Sequence, residues 1–176
     1  MTEEEKVVLV DENDHTIGEM EKMAAHRSGA LHRAVSILVF NNRNELMLQQ
    51  RALSKYHSPG LWTNTCCSHP HPGEPTPQAA HRRLKEEMGF ECQLNKVFDF
   101  TYKAEFENGL TEHEFDHVYV GYYDRDPVLN PDEAEAFKWM SVRSILQDMR
   151  AQQEKYTVWF HLIMQKIEEK MPELVV

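Results

Sequence analysis

The sequence predicts a mixed α/β (α+β) sandwich, because short alternating apolar segments typical of strands are interspersed with helical segments around one well-marked helix. The chain has 176 residues, which is enough for a hydrophobic core, and its 41% hydrophobic and 27% charged residues are ordinary for globular proteins. No repeat or low-complexity linker divides it. We therefore expect a single domain over residues 1–176.

Two strand pairs are predicted in the first third of the chain. Residues 7–10 and 15–18 flank a polar turn, which is typical of a small hairpin. Residues 35–40 and 45–51 flank an asparagine-rich turn and predict a second hairpin, with Arg51 at its end.

The clearest helix is predicted over residues 79–88. Thr76 is expected to be its N-cap and Pro77 its first-turn proline, while Gly89 stands where a helix-ending glycine is common. These start and stop signals make this helix the best-defined element of the sequence.

Strands and then helices are predicted after this central helix. Residues 94–102 and 110–123 flank an Asn-Gly turn and indicate another hairpin. A further strand is predicted at 136–140, and helices at 142–149 and 157–170.

The charge balance argues against several classes of partner. The formal net charge is −10, whereas nucleic acids and anionic membranes favour clustered positive charge. Residues 1–6 are acidic where a signal peptide is basic and then apolar, and no apolar run approaches membrane-spanning length. Three cysteines, two of them adjacent, fit a reducing compartment. We expect a soluble, cytoplasmic protein without nucleic-acid or membrane partners, and a monomer by default.

A set of imidazoles and carboxylates predicts a metal site. Its members are His26, His32, His69, Glu112 and Glu114. The two glutamates are two apart in a predicted strand, so their side chains point the same way. Cys67 lies two residues from His69, and this mixed nitrogen and oxygen set indicates a catalytic centre rather than a structural zinc site, which usually has several cysteine ligands.

Some nearby residues have two interpretations. Asp116 shares the strand face of Glu112 and Glu114, so it is either an additional acid at the site or a charged residue of an edge strand. Seven histidines are left unassigned: His15, His57, His71, His81, His113, His117 and His161.

The central helix resembles the Nudix signature. Glu74 precedes Arg82 by eight positions, and a glutamate pair ends the helix before glycine. Arg83 stands where the signature has a glutamate, which removes one carboxylate that Nudix hydrolases use to hold magnesium. Arg83 and Glu87 lie four apart and could grip a magnesium diphosphate, although a solvated ion pair is the preferred interpretation of this pair taken alone.

Further motifs lie at residues 51–55, 59–64, 67–70 and 112–114. With the altered helix, they make the chain from about residue 22 to 159 resemble type I isopentenyl-diphosphate isomerase, a branch of the Nudix fold. The resemblance implies a Nudix-like mixed-sheet sandwich flanked by helices. It also implies an isomerase of isoprenoid biosynthesis that interconverts isopentenyl and dimethylallyl diphosphate. The expected partner is therefore a small-molecule isoprenoid diphosphate substrate.

The resemblance also implies roles for individual residues. The catalytic pair is Cys67 and Glu114. Apart from the resemblance, proton transfer at Glu114 suggests Tyr102 as a relay beside it. The residues that bind substrate are Lys22, Arg51, Lys55 and Arg83 at the diphosphate and Trp159 over the cationic carbon. The ligands of one divalent ion (Mn²⁺, Mg²⁺ or Zn²⁺) are His26, His32, His69, Glu112 and Glu114. A Mg²⁺ bound with the diphosphate involves Glu87, and Cys66 is a small core residue.

The reaction explains why such residues are needed. An allylic shift adds a proton to one carbon and removes one from another through a cation-like centre that water would destroy. Cys67 and Glu114 suit the two proton transfers, and Cys67 is the reactive thiol provided that its surroundings are electropositive. The alternatives are a Nudix-type diphosphate hydrolase, which Arg83 disfavours, and a non-catalytic metal-binding module, which does not need the thiol.

Overall fold

A mixed sheet runs through the computed structural model, which describes residues 4–176. The strands are β1 (Lys6–Val10), β2 (Thr16–Glu21), β3 (His32–Phe40), β4 (Glu45–Arg51), β5 (Trp62–Thr63), β6 (Cys66–Ser68), β7 (Leu94–Glu105), β8 (Thr111–Tyr122) and β9 (Ala134–Ser141). The helices are α1 (Lys22–Ser28), α2 (Thr76–Met88), α3 (Val142–Ala151) and α4 (Val158–Lys170). Met1, Thr2 and Glu3, part of the acidic stretch used to argue against a signal peptide, lie outside the described residues.

Two of the three predicted hairpins are confirmed, and the other is wrong beyond its turn. β1 pairs with β2 and β7 with β8, both antiparallel. β3 and β4, by contrast, pair at one position, Phe40 with Leu46. β3 instead runs parallel to β8 over nine positions, and β4 runs antiparallel to β9 over seven. These longer ladders satisfy more backbone hydrogen bonds than a hairpin that diverges after its turn.

The two faces of the sheet are covered by different helices, which confirms the predicted sandwich. On one face Leu38 and Phe40 pack in a core that includes Phe160 of α4. On the other, Ile37 packs in a core that includes Leu84 of α2. Alternation along β3 produces this division, and each such buried side chain contributes about 1.5–3 kcal/mol through the hydrophobic effect. In residues 4–176 no helix combines the length and apolarity needed to cross a membrane.

The central helix is confirmed, but its predicted N-cap is wrong. α2 begins one turn before residue 79, with Pro75 at the N-cap position and no side-chain cap. Thr76 is the first helical residue, and its hydroxyl accepts a hydrogen bond from Tyr119 at 2.9 Å instead. Gly89 ends the helix as expected, with φ of 74°. This left-handed conformation favours glycine because it has no Cβ.

Gly89→Ala should destabilise the fold more than Gly73→Ala. Both glycines have positive φ, so each alanine carries the left-handed cost of about 1–2 kcal/mol. A Cβ at Gly89 would also lie 2.5 Å from the carbonyl oxygen of Val128, whereas one at Gly73 meets no described atom within 4 Å. Urea unfolding of both variants measures the difference. Equal losses would show that the Val128 contact relaxes without cost.

Candidate active site

The parallel pairing of β3 with β8 brings the predicted ligands together. His32 lies opposite Glu114 in this ladder, and Glu112 is two residues away on the same face of β8. α1 contributes His26, and His69 directly follows β6. The donor atoms of His26, His32, His69 and Glu112 all lie within 4.8 Å of one another, and all four residues are buried.

Local capping positions the short helix that carries His26. The Glu21 carboxylate accepts hydrogen bonds from the backbone N–H of Met23 and Ala24, at 2.9 and 2.8 Å, which fixes the start of α1. Gly29 ends the helix with φ of 72°. Within α1, Lys22 and His26 are one turn apart and therefore share a face.

The hydrogen bonds of two imidazoles determine which nitrogen faces the cluster. Nδ1 of His26 contacts the Lys22 carbonyl at 2.6 Å, and Nδ1 of His32 contacts the Ala30 carbonyl at 2.9 Å. Since a carbonyl only accepts, each Nδ1 carries a proton. In a neutral ring Nε2 then presents a lone pair towards a carboxylate. This arrangement is repulsive unless a proton or a metal ion lies between the two atoms.

The pKa values of these two histidines show that the neighbouring carboxylates favour a positive charge on each imidazole. Burial alone would lower the pKa of His26, but the hydrogen bond and charge of Glu112 outweigh it, and the pKa is raised. For His32 burial is likewise opposed by Glu114, and the pKa is again raised. A bound cation satisfies the same carboxylates without protonating the imidazoles.

Two atoms of the cluster fit a metal ion directly. Nε2 of His32 and Oε2 of Glu112 are buried and make no hydrogen bond to any residue between 4 and 176. Such groups are costly unless a ligand binds them. Imidazole nitrogen and carboxylate oxygen together suit a divalent cation. The residues therefore fit a metal centre, which the structure supports without selecting the metal.

Glu114 lies between the metal cluster and an aromatic hydroxyl. Its Oε2 is 2.7 Å from Nε2 of His69 and 3.3 Å from Nε2 of His32, and its Oε1 accepts a short hydrogen bond from Tyr102. Burial and Glu112 raise its pKa, but the two histidines more than compensate, and the pKa is lowered. The pKa of Tyr102 is raised, first by burial and then by the charge of Glu114. At neutral pH the pair is thus a carboxylate and a protonated phenol.

The adjacent thiols point to opposite faces of the sheet. Cys66 is fully buried in the core on the α2 side, and its Sγ donates to Oε2 of Glu87 at 2.8 Å. Cys67 instead lines a cavity that it shares with Glu114 and Tyr102. Strand alternation in β6 accounts for the separation.

The condition placed on Cys67, electropositive surroundings, is met in the protein's own charges by Arg51 alone, and three acids oppose it. Burial raises the pKa of this thiol strongly, and although Arg51 opposes the shift, Glu87, Glu114 and Asp116 add to it. The raised pKa favours the protonated thiol, which can donate a proton.

The shared cavity has a volume of about 90 Å³. All four predicted diphosphate ligands line it: Lys22, Arg51, Lys55 and Arg83. Glu5 lies 2.9 Å from Lys22, and Glu133 pairs with both Lys55 and Arg83. The Arg51 guanidinium lies 5.1 Å from the ring centre of Trp159, which is 3% exposed and also lines the cavity. The predicted basic and aromatic residues thus line one cavity.

The interpretation of Arg83 and Glu87, taken alone, as a solvated ion pair does not hold, because Glu87 is only 2% exposed. Its Oε2 is 3.7 Å from Arg83, and burial raises its pKa despite that positive charge. Arg83 also contacts Glu86 at 2.6 Å and Glu133 at 3.1 Å. The cation that replaces the signature glutamate is therefore held by three acids.

Asp116 is not an edge-strand residue, because β8 is hydrogen-bonded on both sides, to β3 and to β7. It is 1% exposed, and Ser36 donates a hydrogen bond to it at 2.6 Å. Burial and the charge of Glu114 raise its pKa well above the usual value. Asp116 is therefore a buried acid next to the site, on the same face of β8 as Glu114.

Sequence reasoning missed three residues of the site. His57, to which the sequence assigns no role, contacts Oε1 of Glu112 through Nε2 at 2.5 Å. Glu5 and Glu133 line the cavity as partners of its basic side chains. No periodicity or spacing marks these residues, since their roles come from contacts with distant segments.

Known proteins resemble this chain over most of its length. Residues 30–160 match the NUDIX domain family. "Isopentenyl-diphosphate Delta-isomerase 2" of Aromatoleum aromaticum is 53% identical over 93% of this chain and 87% of its own length. "Isopentenyl-diphosphate Delta-isomerase" of Pectobacterium atrosepticum is 54% identical over 92% of this chain and 90% of its own.

Solved structures share the fold at low sequence identity. A protein of Deinococcus radiodurans superposes with a TM-score of 0.79 at 22% identity, covering 92% of this chain and 98% of that one. A MutT protein of Methanosarcina mazei gives a TM-score of 0.65 at 19% identity, covering 79% and 94% respectively.

Mn²⁺ added to chelator-treated protein should raise the melting temperature, and the increase should grow from about pH 6 to about pH 8. The raised pKa values of His26 and His32 mean that their imidazolium contacts stabilise the metal-free fold at low pH and are lost as pH rises. Metal affinity rises over the same pH range, because the imidazoles lose the protons that compete with the metal ion. Differential scanning fluorimetry measures the shift, His32→Ala should diminish it, and a pH-independent shift would contradict the assignment.

Proposed function

Because this chain belongs to the isopentenyl-diphosphate Delta-isomerase family within the NUDIX fold, we infer that it is an isomerase of isopentenyl diphosphate. It interconverts isopentenyl and dimethylallyl diphosphate by an allylic proton shift, a step of isoprenoid biosynthesis. Its substrate is accordingly a small-molecule diphosphate.

The observation that carries the catalytic assignment is the meeting of a protonated thiol and a carboxylate in one small cavity. Cys67 and Glu114 both line this space, with Tyr102 hydrogen-bonded to the carboxylate. One group holds a proton and the other has a lone pair to receive one, as their pKa shifts indicate. We propose these three residues as the catalytic group.

In the proposed reaction a carbon–hydrogen bond forms at one end of the alkene and another breaks at the allylic position. One protein group gives a proton to the substrate and the other takes a proton from it, so the substrate and the pair of groups together keep the same number of protons. Tyr102 holds the orientation of Glu114 and is placed to pass a proton to or from it. The cation-like carbon must be kept from water, and Trp159, which lines the cavity, offers its π face to that charge.

Buried donors without partners support binding of the diphosphate at this cavity. The atoms concerned are Nε of Arg51, Nε of Arg83 and Nε1 of Trp159, which make no hydrogen bond to any described residue. All three residues line the cavity. A buried donor left without an acceptor costs about 1–3 kcal/mol, and phosphate oxygens are strong acceptors. We propose that Lys22 and Lys55 complete the contacts with the diphosphate.

Metal ions enter this proposal at two places. We propose that His26, His32, His69, Glu112 and Glu114 hold a divalent ion, which is Mn²⁺, Mg²⁺ or Zn²⁺. Such an ion fixes the carboxylates and lowers their proton affinity. We further propose that Glu87 takes part in binding a Mg²⁺ that arrives with the diphosphate.

Nucleotide hydrolysis, the alternative function, is less well supported. The altered helix has Arg83 where a hydrolase of this fold has a carboxylate, and that arginine is engaged with three acids.

We propose the following setting for the enzyme. It acts as a single domain over residues 1–176 and as a monomer, without nucleic-acid or membrane partners, in the cytoplasm. The net charge of −10 supports the absence of polyanionic partners. All three cysteines are free thiols, which supports a reducing compartment.

Cys67→Ala should lower the isomerisation rate by about 10²–10⁴-fold, because one of the two proton-transfer groups is removed. Proton NMR of isopentenyl diphosphate in deuterated water with Mg²⁺ follows both the dimethylallyl product and deuterium incorporation. Cys92→Ala is the matched control, since Cys92 is a thiol that does not line the cavity. Full turnover by Cys67→Ala would assign the thiol role elsewhere. Phosphate release from nucleoside diphosphates, with no isomer formed, would favour the hydrolase.

Glu114→Gln should reduce turnover and metal affinity together. The amide cannot accept the transferred proton, and it removes one negative charge from beside His32 and His69. We expect a rate loss of about 10²–10⁴-fold, measured by the same NMR assay, and a weaker Mn²⁺ affinity by calorimetry. The exposed Glu105→Gln, on the neighbouring strand β7, is the control. A variant with full rate and full affinity would refute the double role.

A further inference from the structure

His57 connects three parts of the site that come from distant segments of the chain. Its Nε2 contacts Oε1 of Glu112 at 2.5 Å, and its backbone carbonyl accepts a hydrogen bond from Arg51 at 3.1 Å. Its ring lies edge-to-face with that of Trp159, with centroids 5.5 Å apart and planes at 83°. The residue is 3% exposed. His57 thus contacts a candidate metal ligand, a candidate diphosphate ligand and the cavity aromatic.

Neighbouring side chains fix the orientation of the imidazole. Its ring stacks on Phe106, with centroids 4.6 Å apart and an angle of 6° between the planes, and it meets Tyr56 edge-on at 4.5 Å. Nδ1 lies 3.2 Å from the hydroxyl of Ser58. A proton on Nε2 satisfies both polar contacts, because the Ser58 hydroxyl can donate to Nδ1 and Nε2–H can donate to Glu112. The ring therefore aims one donor at one carboxylate oxygen.

The two oxygens of Glu112 have different surroundings. Oε1 contacts His57 and also Nε2 of His26, at 3.0 Å. Oε2 is buried and makes no hydrogen bond to any residue that the structure describes. His57 is not among the four residues whose donor atoms lie within 4.8 Å of one another. His57 therefore lies outside this group of donors and contacts the Glu112 oxygen that His26 also contacts, while Oε2 is the oxygen that no described residue engages.

We propose that His57 is a positioning residue for the metal site, which donates from Nε2 to Oε1 of Glu112 and so leaves Oε2 directed to a divalent cation. Carboxylates that bind metals are commonly held by such a donor, and its loss typically weakens metal affinity about 10–100-fold. The effect on turnover rests on the proposed function. The effect on cation binding does not.

Manganese binding by the full-length, chelator-treated protein tests this role. His57→Phe keeps an aromatic ring against Phe106 and Tyr56 but removes the donor, so Mn²⁺ affinity should fall about 10–100-fold. His57→Gln keeps an N–H donor and should restore most of that loss. His161→Phe is the control, because His161 is hydrogen-bonded to the Gln153 carbonyl rather than to the cluster. Free Mn²⁺ is counted by electron paramagnetic resonance.

The outcomes separate a positioning role from a packing role. Wild-type affinity in His57→Phe would overturn the proposal, and so would equal losses in the phenylalanine and glutamine variants, since the donor would then not be the cause. If His57→Phe does not fold, His57→Ala is judged by the same criterion against His57→Gln. Reduced Mn²⁺ affinity in a protein whose wild type forms no isomer would support the proposal while refuting the proposed function.

Discussion

The parallel ladder between β3 and β8 holds the two halves of the candidate metal site together. It places His32 opposite Glu114 and continues through nine positions to Phe40. Because side chains alternate along a strand, a shift of one residue in this register would turn both β8 carboxylates to the face covered by α2. The buried cores on the two faces oppose such a shift, since it would also move the Val118 side chain out of its core and into the core on the α2 side. Packing of the hydrophobic core therefore fixes the geometry of the polar site.

Charge within the cavity is balanced before any ligand binds. Among the described residues that line it, four are basic and four are acidic: Lys22, Arg51, Lys55 and Arg83 against Glu5, Glu112, Glu114 and Glu133. A diphosphate added to this balance introduces uncompensated negative charge into a poorly solvated space. Divalent cations at the histidine cluster and with the substrate would restore neutrality. This provides a physical reason for an acidic protein to bind an anion together with metal.

The paired cysteines illustrate how one local rule produces two chemical environments. Alternation in β6 directs Cys66 to the α2 side, where its thiol donates to Glu87, and Cys67 to the cavity. One thiol thus supports a candidate magnesium ligand, and its neighbour faces the candidate substrate space. His57 plays a comparable supporting part on the other side of the cavity, next to Glu112. Glu87 and Glu112, two of the three candidate metal carboxylates, are consequently held by donors from the same chain.

By itself, the sequence determined the features that depend on neighbouring residues: the alternation that puts Glu112 and Glu114 on one face, the glycine-ended helix α2, and the motifs around Cys67. It could not determine that β3 leaves β4 to pair with β8, because long-range ladders compete in ways that local patterns do not encode. Nor could it assign His57, whose partner Glu112 is 55 residues away, or show that Asp116 is interior. Only the tertiary structure decided these, since they follow from strand order and loop packing.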